Sequence, residues 1–333
     1  MANPSAYPRQ RLLHSLLWSI VVAVAIYGAS IIATDLDTVG ESAASLGILG
    51  WMTVLGLSLA NYGFRFVRWE VYLGRLDSRV PTLASLAYYL GGFAFTTTPG
   101  KAGEALRSFY LKRHGVSYVH SLAAFFTERL VDLVAMVLLA LVAALTFPAY
   151  RWPVVVIAGL IIAVLPLIHA RSFHAFLERQ RTRLPSEQLR SLGSRLLDML
   201  ESASTLLKSG PLYAGLSLAL IAWGAEGVAF HFILLSLEID APLALSVGIY
   251  SVSVLAGALS FLPGGLGGTE AVMVVLLSLV GADAPTAVAA TLICRIATLW
   301  FAVIIGGLVV GALELTSAPV PTNRSTACET RET

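Results

Sequence analysis

Cysteine is nearly missing from this chain: Cys294 lies in an apolar run and Cys328 in a polar C-terminal stretch. Two thiols so placed support neither a disulfide framework nor a metal cluster, and no cofactor motif stands beside them. Charge is scarce too. Only 13% of the 333 residues are Asp, Glu, Lys or Arg, and 57% are hydrophobic, whereas a soluble chain is about a quarter charged. With a mean hydropathy of +0.79, an ordinary soluble domain is excluded. The short alternating segments of a membrane β-barrel are also lacking. The net charge of +2 gives no reason to expect nucleic acid as a partner. A small-x-small cleavage site is wanting after the first apolar run, Leu12 to Ala33, so that run reads as a retained helix rather than a signal peptide.

What is present is a series of apolar runs of the roughly 20 residues that a helix needs to cross hydrocarbon. The expected fold is all-α, a polytopic integral membrane protein with full spans near 12–34, 44–64, 117–147, 152–170, 211–235 and 285–314. Basic residues concentrate in alternate connections. Arg65, Arg68, Arg75 and Arg79 follow the second span, and the loop 171–208 holds six arginines and Lys208. The connections at Asp35–Glu41 and Glu238–Asp240 are acidic. The positive-inside rule then puts both termini and the basic loops in the cytoplasm of a cell membrane. From about Glu187 the basic loop reads as an amphipathic helix, and 316–333 as a disordered polar tail beyond a single membrane domain over 1–315.

Two further apolar stretches, 83–113 and 243–281, break at their centres. The first reads P-G-K-A-G-E, from Pro99 through Gly100, Lys101 and Gly103 to Glu104. The second runs from Pro263 through Gly264, Gly265, Gly267 and Gly268 to Glu270, and no Gly-Lys-Ser/Thr follows to suggest a nucleotide loop. Each stretch is either a pair of full helices or a re-entrant hairpin. The hairpin is favoured, because irregular backbone survives at membrane depth only where protein or a wet cavity covers it. A lone arginine stands 25 residues after each glutamate, Arg129 and Arg295. The 166-residue offset between those arginines maps 44–147 onto 210–313, a span, a broken hairpin and a span in each half. One crossing between the halves would turn the second upside down, giving an inverted repeat of the kind that builds alternating access around a midplane site.

The charges inside these apolar segments define the candidate site. Lys101, Glu104 and Arg107 would occupy the first turns of a helix restarting after Pro99, where free N–H groups and the helix dipole favour an anion. Glu128 and Asp132 share a helix face at i,i+4, and Arg129 points about 100° away. An isolated charge at the bilayer centre costs about 2.5–3.5 kcal/mol on insertion scales, so these groups must pair or face water. The expected pairs are Glu104 with Arg129 and Glu270 with Arg295. His231 and the six tryptophans read as packing or interface residues.

Taken together, T-P-G-K-A-G-E-A-L-R, T-E-R-L-V-D, L-P-G-G-L-G-G-T-E and C-R-I-A-T-L-W resemble the flippase-like membrane domain of lysylphosphatidylglycerol synthases, in the form of a stand-alone integral membrane member. The resemblance covers about 12–314. It implies re-entrant helices and movement of a lipid between leaflets, with Glu104, Arg107, Glu128, Arg129, Asp132, Glu270 and Arg295 as the positions of interest. The synthases continue into a soluble aminoacyltransferase domain, whereas this sequence stops at Thr333. The expectation is therefore a transporter rather than an enzyme, acting on an anionic or aminoacylated phospholipid or a polyprenyl-phosphate. The alternatives are a membrane-embedded headgroup transferase and a non-transporting partner of a lipid or glycan synthase; a homo-oligomer fits any of the three.

Overall fold

The computed structural model describes residues 36–98, 104–105, 107–146, 159, 187–260 and 262–316. Among the described residues all regular structure is helical. The expected span 12–34, all of 152–170 but Gly159, the break residues Pro99, Gly100 and Gly103, Lys101, and the tail beyond Thr316 lie outside them. Helix α1 (Leu36–Ser45) precedes α2 (Gly47–Arg75), α3 (Thr82–Gly92), α4 (Arg107–Lys112) and α5 (Tyr118–Thr146). After these come α6 (Glu187–Leu206), α7 (Ser209–Ser236), α8 (Leu243–Leu259), α9 (Gly268–Leu279), α10 (Ala284–Arg295) and α11 (Phe301–Thr316).

Among the described residues three helices are long and apolar enough to cross a membrane: α2, α7, and α10 continued into α11. Helix α5 matches α2 at 29 residues but carries Glu128, Arg129 and Asp132 within it. Two sequence expectations need correcting. The acidic connection at Asp37 and Glu41 is helix α1, which packs on α10. The second span does not end at residue 64. Helix α2 runs to Arg75, and Arg65 and Arg68 lie buried in it rather than in a basic loop.

Element order repeats across the two halves. Helix, short helix, break, short helix and long helix occur as α2 to α5 and again as α7 to α11. Packing repeats with it. The two leading helices α2 and α7 lie against each other, α3 packs on α11, and α8, its counterpart in the second half, packs on α5. Helices α8 and α9 fold back side by side across the second break, and α3 meets α4 across the first.

Two local features fix how these helices meet. At the second break Gly264, Gly265 and Gly267 have φ of 64°, 69° and 83°, a left-handed backbone that side-chain-bearing residues seldom adopt. Between α10 and α11 the helix widens into a π-helical turn, Ile296–Trp300. Beyond it Gly306 lets α11 touch the backbone at the end of α3. A Cβ there would lie 2.2 Å from the Ala94 nitrogen and 2.8 Å from the Phe93 carbonyl carbon.

Because main chain cannot swing aside, Gly306→Ala is expected to destabilise the fold by about 1–3 kcal/mol. Gly307→Ala, whose Cβ would meet nothing within 4 Å, is expected to leave stability unchanged or raised. Thermal unfolding of the two purified variants in detergent micelles checks the contrast.

Candidate functional site at the two breaks

The two broken segments converge. A Cβ on Gly264, in the second break, would sit 3.4 Å from the Cα of Thr97 at the edge of the first. Beside this junction lies a cavity of about 300 Å³. Its polar wall carries Arg65, Arg129, Asp132, Trp223, Glu226, Tyr250 and Arg295; Leu133, Met136, Val254, Leu255, Leu259 and Leu262 supply apolar wall.

At the second break the expected pair is present. Arg295 Nε donates to Glu270 Oε1 at 2.7 Å, and its guanidinium also donates to the Gly264 carbonyl at 2.8 Å. Glu270, in the first turn of α9, accepts from the Gly267 N–H at 2.7 Å through its other oxygen. Its negative charge also suits that end of the helix dipole. The Gly267 N–H at this helix start is therefore spent on the protein's own carboxylate. Arg295 ties the glycine turn to α10 while still bordering the cavity.

The first break is arranged differently. Regular helix α4 starts at Arg107, so Glu104 lies ahead of it in a short 3₁₀ stretch and not in its first turns. Glu104 Oε2 is 3.8 Å from both Arg129 and Arg65, and its Oε1 accepts from Thr96 Oγ1 at 3.2 Å. Arg129 also lies 3.0 Å from Asp132. Arg107 turns away from the cavity. It pairs with Glu128, and its guanidinium lies over Trp69 at 3.8 Å and near Tyr89 at 4.9 Å. Such an aromatic box holds a desolvated cation by about 2 kcal/mol. Arg107 therefore fastens α4 to α2, α3 and α5.

Asp132 is similarly engaged. Its Oδ1 takes Arg68 at 2.7 Å and the Trp223 indole N–H at 2.8 Å. Arg68, wholly buried, also lies 3.7 Å from Glu128, which accepts from the Tyr89 hydroxyl at 3.3 Å. Glu226 accepts from the Tyr250 hydroxyl inside the cavity wall. His231 shares a hydrogen bond with Ser246 at 3.0 Å, a packing role.

The family model for the lysylphosphatidylglycerol synthase transmembrane region matches residues 16–306. The chain belongs to that family. Both breaks and every charged residue of the described site fall inside the match. Among its relatives is a UPF0104 membrane protein of Pyrococcus horikoshii, 27% identical over 271 residues, or 73% of this chain and 81% of the relative. Another, from Methanocaldococcus jannaschii, is 26% identical over 242 residues, covering 69% of this chain and 98% of that one. A third, from Methanothermobacter thermautotrophicus, is 27% identical over 288 residues, 78% and 82% respectively. The chain is therefore a membrane protein of this family, its described residues all-helical.

Arg65, Arg68, Trp223 and Tyr250 were missed by sequence reasoning as parts of the site; Trp223, expected to be a packing or interface residue, lines the cavity and donates to Asp132. Arg65 and Arg68 stand at i,i+3 among Tyr62, Trp69 and Tyr72, an aromatic spacing that continues a buried helix face and could have extended the span.

Replacing Arg68 with Gln leaves Glu128 and Asp132 short of a buried counter-charge. The expected loss is about 3–5 kcal/mol, read as a lower unfolding temperature in detergent. Lys112→Gln, at an exposed position, is expected to leave that temperature in place.

Proposed function

We propose that this protein is a lipid translocase, moving a lipid with an anionic headgroup between the leaflets of the cell membrane. The observation that carries the reading is the cavity at the junction of the two breaks, its polar wall made by arginines and carboxylates and its apolar wall by leucine, valine and methionine. A charged headgroup needs such a wall to leave water, and acyl chains need the apolar one. Membership of the synthase membrane-region family supports a lipid as cargo.

On this reading the chain is multi-pass with both termini cytoplasmic, and its six spans and two broken hairpins form an inverted repeat. The repeated element order and the exchange of packing partners between halves support that arrangement. The hairpins would be re-entrant, opening to opposite sides, and a rocking of one half against the other would expose the headgroup to each leaflet in turn. Cargo would be an anionic or aminoacylated phospholipid or a polyprenyl-phosphate. The protein would carry it without altering it, alone or beside a lipid or glycan synthase. Arg129 and Arg295 would meet the headgroup from opposite halves, with Glu104 and Glu270 as the counter-charges they keep when the cavity is empty.

Reconstitution into liposomes with labelled lipids tests this. Wild-type protein is expected to speed exchange of an anionic phospholipid between leaflets well above the protein-free rate, and Arg129→Ala and Arg295→Ala to remove most of the gain. Exchange at the protein-free rate for every anionic lipid tried would overturn the proposal.

A further inference from the structure

We infer that Arg65 and Arg129 form a phosphate-holding end of the cavity, with Arg65, on α2, setting headgroup selectivity. The inference deepens the translocase reading and rests on it. Its basis is how the buried charges are shared out. Of the two α5 carboxylates, Glu128 is held by Arg107 and Tyr89, and Asp132 Oδ1 by Arg68 and Trp223. Arg295 is bound to Glu270 and the Gly264 carbonyl. That leaves Arg65 and Arg129 sharing Glu104 at 3.8 Å each, beyond hydrogen-bonding reach. The contact of Arg129 with Asp132 is an ion pair that makes no hydrogen bond: the Nε and one terminal nitrogen of both Arg65 and Arg129 are buried without a hydrogen-bond acceptor. Arg68 and the Arg107 Nε also have open donors, but neither residue borders the cavity, so only Arg65 and Arg129 can offer theirs to a ligand there.

Buried guanidinium donors left open cost free energy, and Arg65 is only 5% exposed. Both side chains line the cavity. Since both nitrogens lie at that distance from one carboxylate oxygen, they are at most twice as far from each other. A phosphate spans such a gap, its oxygens accepting charge-assisted hydrogen bonds of about 2.8 Å from each side. Arg65 is braced for this work, with its guanidinium over Phe93 at 5.1 Å and Trp223 at 5.3 Å.

The source of the phosphate follows from the apolar lining. Leu259 and Leu262 border the cavity and are 56% and 46% exposed, so its mouth is apolar and suits a lipid-borne phosphate rather than a soluble one.

The test offers the full chain in detergent micelles phosphatidylglycerol, phosphatidic acid, or diacylglycerol with the same acyl chains, and counts bound lipid by native mass spectrometry. Both phospholipids are expected to be retained at least about tenfold over diacylglycerol, the effect of one or two charged hydrogen bonds. Arg65→Gln should abolish that preference and Arg65→Lys keep much of it. Equal retention of diacylglycerol, or a preference that survives in a folded Arg65→Gln protein, overturns the inference. Should Arg65→Gln fail to fold, Arg129→Gln decides: preference lost supports the clamp, preference kept overturns it. Inorganic phosphate is the second arm. If it alone raises the unfolding temperature as much as phosphatidylglycerol does, the lipid source is wrong. Liposome exchange separates the two proposals. Headgroup-blind exchange sinks the phosphate clamp and leaves the translocase, whereas selective retention without exchange does the reverse.

Discussion

Two carboxylates one turn apart on α5 govern the interior of this protein. Glu128 and Asp132 are buried within a helix that has apolar surroundings along most of its length, and charge so placed must be answered at close range. The answers come from elsewhere in the chain: Arg68 from α2, Arg107 from α4 and the Trp223 indole from α7. Each brings its helix with it. The packing of α2, α4 and α7 around α5 is in this sense a set of charge contacts that apolar side chains then fill in. Specific partners matter here more than apolar area, because apolar surface alone cannot tell one helix face from another.

That division of labour separates structural arginines from those turned to the cavity. Arg68 and Arg107 are closed in by carboxylates and rings. Arg295 is shared, holding the glycine turn and facing the cavity at once. Arg65 and Arg129 border the cavity and keep donors without a hydrogen-bond acceptor. Five guanidinium groups of identical chemistry thus do three kinds of work, and only their neighbours distinguish them.

Much of this was legible in the sequence. The two breaks, the glutamate–arginine spacing and the long helices follow from where glycine, proline and lone charges interrupt apolar runs. The Glu270–Arg295 and Glu104–Arg129 pairs could be named before any coordinates. The role of Arg107 could not, because the box that claims it is built from Trp69 on α2, Tyr89 on α3 and Phe125 on α5, contacts that no local pattern announces. Arg65 and Arg68 were misplaced for a related reason. Counting arginines favours a cytoplasmic loop wherever several cluster, and only the aromatic residues between them signal that the helix continues.

The π-helical turn at Ile296–Trp300 carries a consequence for how the last helix is phased. Residues 11 apart on an unbroken α-helix come back to within about 20° of each other, at about 100° per residue. Arg295 and Gly306 would then look the same way. The extra residue in the wide turn offsets them by about 80°, so the arginine addresses the cavity while the glycine addresses the α3 backbone. One inserted residue thus acts as a fixed rotary offset, letting a single rod serve two partners in different directions. Wound as regular α-helix, the same residues would bring the two faces back into line and force the helix to choose between them.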